Sequence, residues 1–136
     1  MFGESTQTMN NALTRLLHAI SNVDTATIQA CCTIGVVLTV PGARYVDLTQ
    51  ESQGCDALVA WAQTVRRLCG MTTFSLDQFF DNANEMMAVG NIEIERLPRH
   101  FSSPCSIYVR FEADRVASFQ LLLDTFALEK FRGEMD

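Results

Sequence analysis

Ile34-Gly35-Val36-Val37-Leu38-Thr39-Val40-Pro41-Gly42 breaks the helical period of the residues before it and reads as a strand. Its β-branched and apolar residues suit a pleated strand, and Pro41-Gly42 supplies the turn that closes it. Upstream the period is helical. Met9, Leu13, Leu16, Leu17 and Ile20 recur three or four residues apart within residues 5–20, while Asn11, Arg15, His18 and Asn22 fall on other sides. That spacing predicts an amphipathic helix. Asp24 follows, placed so that its carboxylate accepts from the free amides opening a second helix over residues 25–32.

Downstream, a partner strand is expected over residues 44–49 and a polar turn over 50–54. Leu58, Trp61, Val65 and Leu68 mark one face of a third helix, which Gly70 can terminate. Strands follow: residues 74–80, a turn at 81–84, a long strand over 85–97, a loop bracketed by Pro98 and Pro104, then a hairpin of 105–111 and 116–123. A last short helix is expected beyond Asp124. Helices gathered toward the front and a run of antiparallel strands predict an α+β domain. In the final strand Phe119, Leu121 and Leu123 alternate to one side, and Val116 and Leu122 to the other. Apolar groups on both faces call for a second cover, and a symmetric homodimer supplies one.

Hydrophobic residues make up 48% of the 136-residue chain and charged residues 19%, a globular composition with enough chain for one core. The net charge of −6 argues against a nucleic-acid partner, since phosphate binding needs clustered Lys and Arg. The run from Ile34 to Val40 is far shorter than the ~20 apolar residues a membrane helix requires, so no membrane partner is expected. Cys31, Cys32, Cys55, Cys69 and Cys105 form no Cys-x-x-Cys pair and have no histidine at ligand spacing. They are expected to be free, buried thiols in a cytoplasmic protein, and neither metal nor cofactor is implied.

Several short stretches, taken in order, resemble the SnoaL-like branch of the nuclear transport factor two-like superfamily. His18-Ala-Ile-Ser-Asn-Val-Asp24 is similar to that family's first-helix ending, Val36-Val-Leu-Thr-Val-Pro-Gly42 to its first strand and turn, and Gly54-Cys-Asp-Ala-Leu58 to the opening of its third helix. Tyr108-Val-Arg-Phe-Glu-Ala-Asp-Arg-Val116 with Leu122-Leu-Asp124 resembles its closing hairpin. The resemblance covers about residues 10–131 and is nearest to the limonene epoxide hydrolase-like and ketosteroid isomerase-like branches. It implies a curved, mixed, mostly antiparallel sheet wrapped by three N-terminal helices into a cone with an internal pocket.

The catalytic sets that the resemblance implies are largely missing. The isomerase positions for two oxyanion donors and a base fall at Leu16, Ile107 and Val40, none of which can transfer or donate a proton. In the epoxide hydrolase pattern Arg96 matches the arginine, but Pro98 and Leu121 stand where two aspartates belong. The cyclase pattern meets Ser118, Phe119 and Gln120 instead of Glu-His-Trp.

Two readings follow: a domain binding a small, largely apolar or amphipathic molecule without that chemistry, or an isomerase, cyclase or hydrolase using another acid/base set. Arg96 is expected to hold an anionic or carbonyl end of a ligand, or else to pair with Glu93, Glu95 or Asp124. Asp124 is a candidate acid and also a helix N-cap. His100 suits proton transfer by its ordinary pKa, and His18 is expected on the exposed side of its helix. Tyr45, Trp61, Tyr108 and Gln120 are candidates for a pocket rim, with Met86 and Met87 as an adaptable wall.

Overall fold

The computed structural model describes residues 2–42 and 51–135, with side chains over 9–42 and 51–133. The first helix, α1 (Phe2–Asn22), buries Leu13, Leu16, Leu17 and Ile20 and leaves Asn11, Arg15 and His18 in solvent. Asp24 caps α2 (Thr25–Cys31) with both carboxylate oxygens. Oδ1 accepts from the Thr27 amide at 3.3 Å and Oδ2 from the Thr27 hydroxyl at 2.7 Å. From α2 the chain passes directly into β1 (Cys32–Thr39).

The remaining elements are β2 (Glu51–Gln53), α3 (Cys55–Leu68), β3 (Met71–Asn82), β4 (Glu85–Arg96), β5 (Arg99–Glu112), β6 (Arg115–Leu123) and α4 (Thr125–Met135). They form an open, curved sheet in the order β2-β1-β6-β5-β4-β3, with β1 parallel to β6 and every other pair antiparallel. Alternation sets the inner face. Met86, Ala88, Ile92 and Ile94 of β4 are buried, with Phe101, Cys105, Ile107, Val109 and Phe111 of β5 beside them. Leu58, Trp61, Ala62 and Val65 of α3 and the apolar stripe of α1 close over that face to make one α+β core.

Four expectations need correction. No loop separates Pro98 from Pro104: β4 and β5 join in a tight turn, and Pro104 sits inside β5 opposite Asn91. Proline is tolerated there because β6 ends at Leu123, opposite Cys105, so β5 has a free edge by that point. Val116 points inward, not outward, because an extra residue, Ala117, separates the Phe111–Val116 pair from the Arg110–Ser118 pair and resets the alternation. The strand expected over 74–80 extends to Met71–Asn82. Finally, the segment taken as a polar turn holds β2, which pairs Gln53 with Val37, while the expected strand at 44–49 lies outside the described residues.

Candidate functional site

Helix α3 is fixed to the sheet at both ends. At its start Gly54 adopts φ +102° and donates its N–H to the Val36 carbonyl at 2.7 Å, and the Cys55 thiol donates to the Thr33 carbonyl at 3.2 Å. At its end the Cys69 and Gly70 amides both donate to the Val65 carbonyl, at 2.8 and 3.2 Å. Gly70 has φ +123°, and a Cβ there would overlap the Glu95 carbonyl oxygen. Only glycine lets the chain leave the helix and enter β3 so close to β4.

Held in this way, α3 encloses a small space against the sheet. Trp61 and Val65 face it from α3, Cys69 from that helix's C-cap, Ile20 from α1, and Thr125 and Leu128 from α4. The sheet contributes Thr72, Phe74, Ile92, Ile94, Leu121 and Leu123, and Val40 stands just past β1. The cavity measures about 30 Å³. Among the described residues no charged side chain, carboxylate or imidazole lines it. Thr72, Thr125, Cys69 and Trp61 belong to its wall, but the surface they present to the space is almost wholly apolar. Burial pushes the Cys69 thiol up, and the Thr72 hydroxyl lies 3.3 Å from that of Ser21. Trp61 is only 7% exposed, and its Nε1 has no hydrogen-bond partner among the described residues.

Most positions of the catalytic sets that the resemblance implies are plain core here. Leu16, Val40, Ile107 and Leu121 are all buried, and Val40 and Leu121 form part of the cavity wall. Ser118 and Gln120 are turned to the outer face of the sheet, and Pro98 is exposed in the β4–β5 turn.

The candidate residues named from sequence are not brought together. Trp61 alone lines the cavity; Tyr45 lies outside the described residues. Arg96 does not anchor the cavity: it is exposed at the end of β4, and its Nη1 donates to the Leu68 carbonyl at 3.0 Å. It shares the inward parity of Ile92 and Ile94, but β4 has by then run to the end of α3, whose last carbonyls carry partial negative charge. Asp124 is exposed, and its Oδ1 accepts the Ala127 amide at 2.9 Å, the N-cap of α4. His100 is exposed beside the turn, with Nε2 3.9 Å from Glu93 Oε1. His18 is exposed too, its ring Nδ1 3.2 Å from Asn22 Nδ2.

Tyr108 and Gln120 pair across β5 and β6 on the outer face, with Thr39 on the far side of Gln120. With Glu85, Arg110 and Ser118 they line a shallow groove of about 530 Å³. Partial burial, and then a hydrogen bond to Glu85, raise the Tyr108 phenol above its ordinary value. Met86 is in the core, whereas Met87 is on the outer face. Sequence reasoning missed Cys69, Thr72 and Thr125. Thr72 shares the parity of Phe74, a signal that emerges once the strand is carried back to Met71.

No family model matches the sequence, and no curated protein matches it. Solved structures do resemble the fold. An NTF2-like protein of unknown function from Burkholderia pseudomallei aligns with a TM-score of 0.81 at 18% identity, over 91% of this chain and 96% of that one. An LEH-like epoxide hydrolase of Mycobacterium tuberculosis aligns with a TM-score of 0.75 at 12% identity, over 96% and 92%. A putative SnoaL-like polyketide cyclase from Shewanella denitrificans also reaches 0.75 at 12% identity, over 93% and 97%. Among the described residues, four helices on one face of a six-stranded, mixed, unclosed sheet thus give this chain the fold of the nuclear transport factor two-like superfamily, SnoaL-like proteins among its neighbours.

Proposed function

We propose that this chain binds a small, largely apolar, uncharged molecule between α3 and the inner face of the sheet, without the acid/base chemistry of the related enzymes. The carrying observation is the lining: among the described residues thirteen face the space, with no carboxylate, imidazole or charged group among them. A charged ligand would lose its hydration there without a counter-charge, whereas an apolar one gains by leaving water. Hydrolysis of an epoxide or proton transfer beside a carbonyl needs a group that exchanges protons near neutral pH. The Cys69 thiol, raised by burial, does not supply one.

Mass spectrometry of molecules released from the purified protein tests this reading. An uncharged apolar species bound in stoichiometric amount supports it, and a bound anion or cation sinks it. Turnover of a simple epoxide would favour instead the enzyme reading suggested by the epoxide hydrolase neighbour.

We also propose that two copies pair through the outer face of the sheet. Phe80, Met87 and Leu122 lie on that face and are 58%, 40% and 44% exposed. Phe80, Met87 and Tyr108 follow one another across three strands. Beside them Glu85 and Arg110 offer opposite charges in one cross-strand pair, an arrangement a two-fold axis can use from both sides.

A further inference from the structure

We infer that the molecule held here is elongated and amphipathic, with an apolar end in the cavity and a hydroxyl-bearing end in the groove between α1 and the free edge of β3. The inference rests on the binding reading above and adds the chemical class of the ligand. At about 30 Å³ the cavity is far below the ~150 Å³ in which an apolar cavity holds benzene. A bound organic molecule must therefore reach into a neighbouring space. Thr72 and Phe74 show which one. Both line the cavity and both line a groove of about 420 Å³, so these two residues form the partition between the spaces.

Thr72 reaches from β3 to α1 through its hydroxyl, 3.3 Å from that of Ser21, and Phe74 is half-buried two residues along the same face of the strand. A change of rotamer at Phe74 opens the cavity to the groove while the strand stays in place. On the α4 side the cavity is closed, with Leu128 and Phe131 buried and the Phe131 ring 5.6 Å from that of Phe101. The groove, unlike the cavity, presents polar as well as apolar surface. Leu17 and Phe79 contribute to the apolar part, and α1 adds His18, Ser21 and Asn22. Every residue from Met71 to Leu76 lines the other wall, so the groove follows the backbone of β3. Among the described residues β3 pairs on one side only, with β4, which leaves outward N–H and C=O groups along this edge without a neighbouring strand. A hydroxyl both donates and accepts, and so suits a wall that offers both kinds of group.

The test uses hexyl β-D-glucoside below its micelle concentration, with xenon as an apolar probe small enough for the cavity alone. In the wild-type protein, nuclear Overhauser effects should run from the terminal methyl of the glucoside to Ile92 and Leu121, and from its sugar protons to Ser21 and Thr73. This readout needs no variant to fold. Thr14→Trp fills the groove from an exposed position on α1. It should weaken hexyl glucoside about ten-fold, the loss of one or two hydrogen bonds at the sugar, and leave the shifts that xenon induces in the cavity methyls unchanged.

Sugar contacts at Thr125 and Leu128 instead would put the opening under α4 and overturn the groove, while the apolar binding reading stands. If xenon shifts the cavity methyls but hexyl glucoside does not bind, the inference again falls alone. Tighter binding of hexanoate or hexylammonium than of the glucoside would replace the hydroxylated end by a charged one and overturn the ligand class. Failure of both xenon and the glucoside to reach the cavity overturns this inference together with the reading beneath it.

Discussion

Arg96 Nη1 donates to the Leu68 carbonyl oxygen across 3.0 Å, so the one arginine that matched a catalytic pattern closes the end of a helix. A cation at a helix C-terminus typically stabilises by about 0.3–1 kcal/mol. Arg96→Met should therefore lower the melting temperature slightly and leave the affinity for hexyl glucoside unchanged. Affinity lost without any change in melting temperature would return Arg96 to a binding role.

Asp24 gives the fold a pH dependence of known sign. Its hydrogen bonds to the Thr27 hydroxyl and amide hold its carboxyl below the ordinary value of 3.8, so the folded state binds this proton less readily than the unfolded state does. The stabilisation is complete above that ordinary value and is lost as pH falls through the lowered one. Asp24→Asn should be less stable than wild type at pH 7, with the gap narrowing in acid. Urea titrations at pH 7 and pH 3 check this, and a gap that widens in acid would contradict it.

All five cysteines are free. Burial pushes the Cys32 thiol up to about 12 and the Cys105 thiol up to about 11, which leaves almost no thiolate to react at pH 8. A disulfide reagent should modify half-buried Cys55 first in the native protein and all five cysteines in denaturant. Rapid native labelling of Cys32 would show that the α2–β1 junction opens.

Gly90 stands opposite Leu76, where β3 carries a bulge, and a Cβ would overlap the Ser75 carbonyl oxygen. Neither backbone can yield without disturbing the pairs beside it. Gly90→Ala should cost about 1–3 kcal/mol in denaturant unfolding, and a cost under about 0.5 kcal/mol would mean that the bulge relaxes freely.

Pairing through the outer face predicts a dimer by sedimentation at micromolar concentration and a monomer for Leu122→Arg, whose side chain is already exposed and whose loss leaves the core untouched. A wild-type monomer would remove the proposal.

What the sequence made legible was local. Leu13, Leu16, Leu17 and Ile20 declared one helix, and Asp24 declared the start of the next, because the groups that decide each lie within a turn of one another. Pro104 misled because its tolerance depends on where β6 stops, a fact about a partner nineteen positions further along. Val116 misled for a similar reason: one extra residue against β5 reverses a parity that the strand alone cannot reveal. For the site, Trp61 was found from its helical face, but Arg96 was not separable from its inward neighbours until the end of α3 was seen beside it.

The parallel ladder between β1 and β6 bears on how the molecule reaches this state. Leu38 pairs with Phe119, so about eighty residues of chain must be threaded into helix and hairpins before the two strands meet, and closing so long a loop is entropically expensive. The hairpins β3–β4 and β4–β5 connect through short turns and can zip early, whereas β1, paired locally only with the short β2, lacks its neighbour on the other side until β6 is available. The run Val36-Val37-Leu38 is thus the segment exposed longest while the chain folds, and crowding or heat at that stage places it at the head of the route to aggregation.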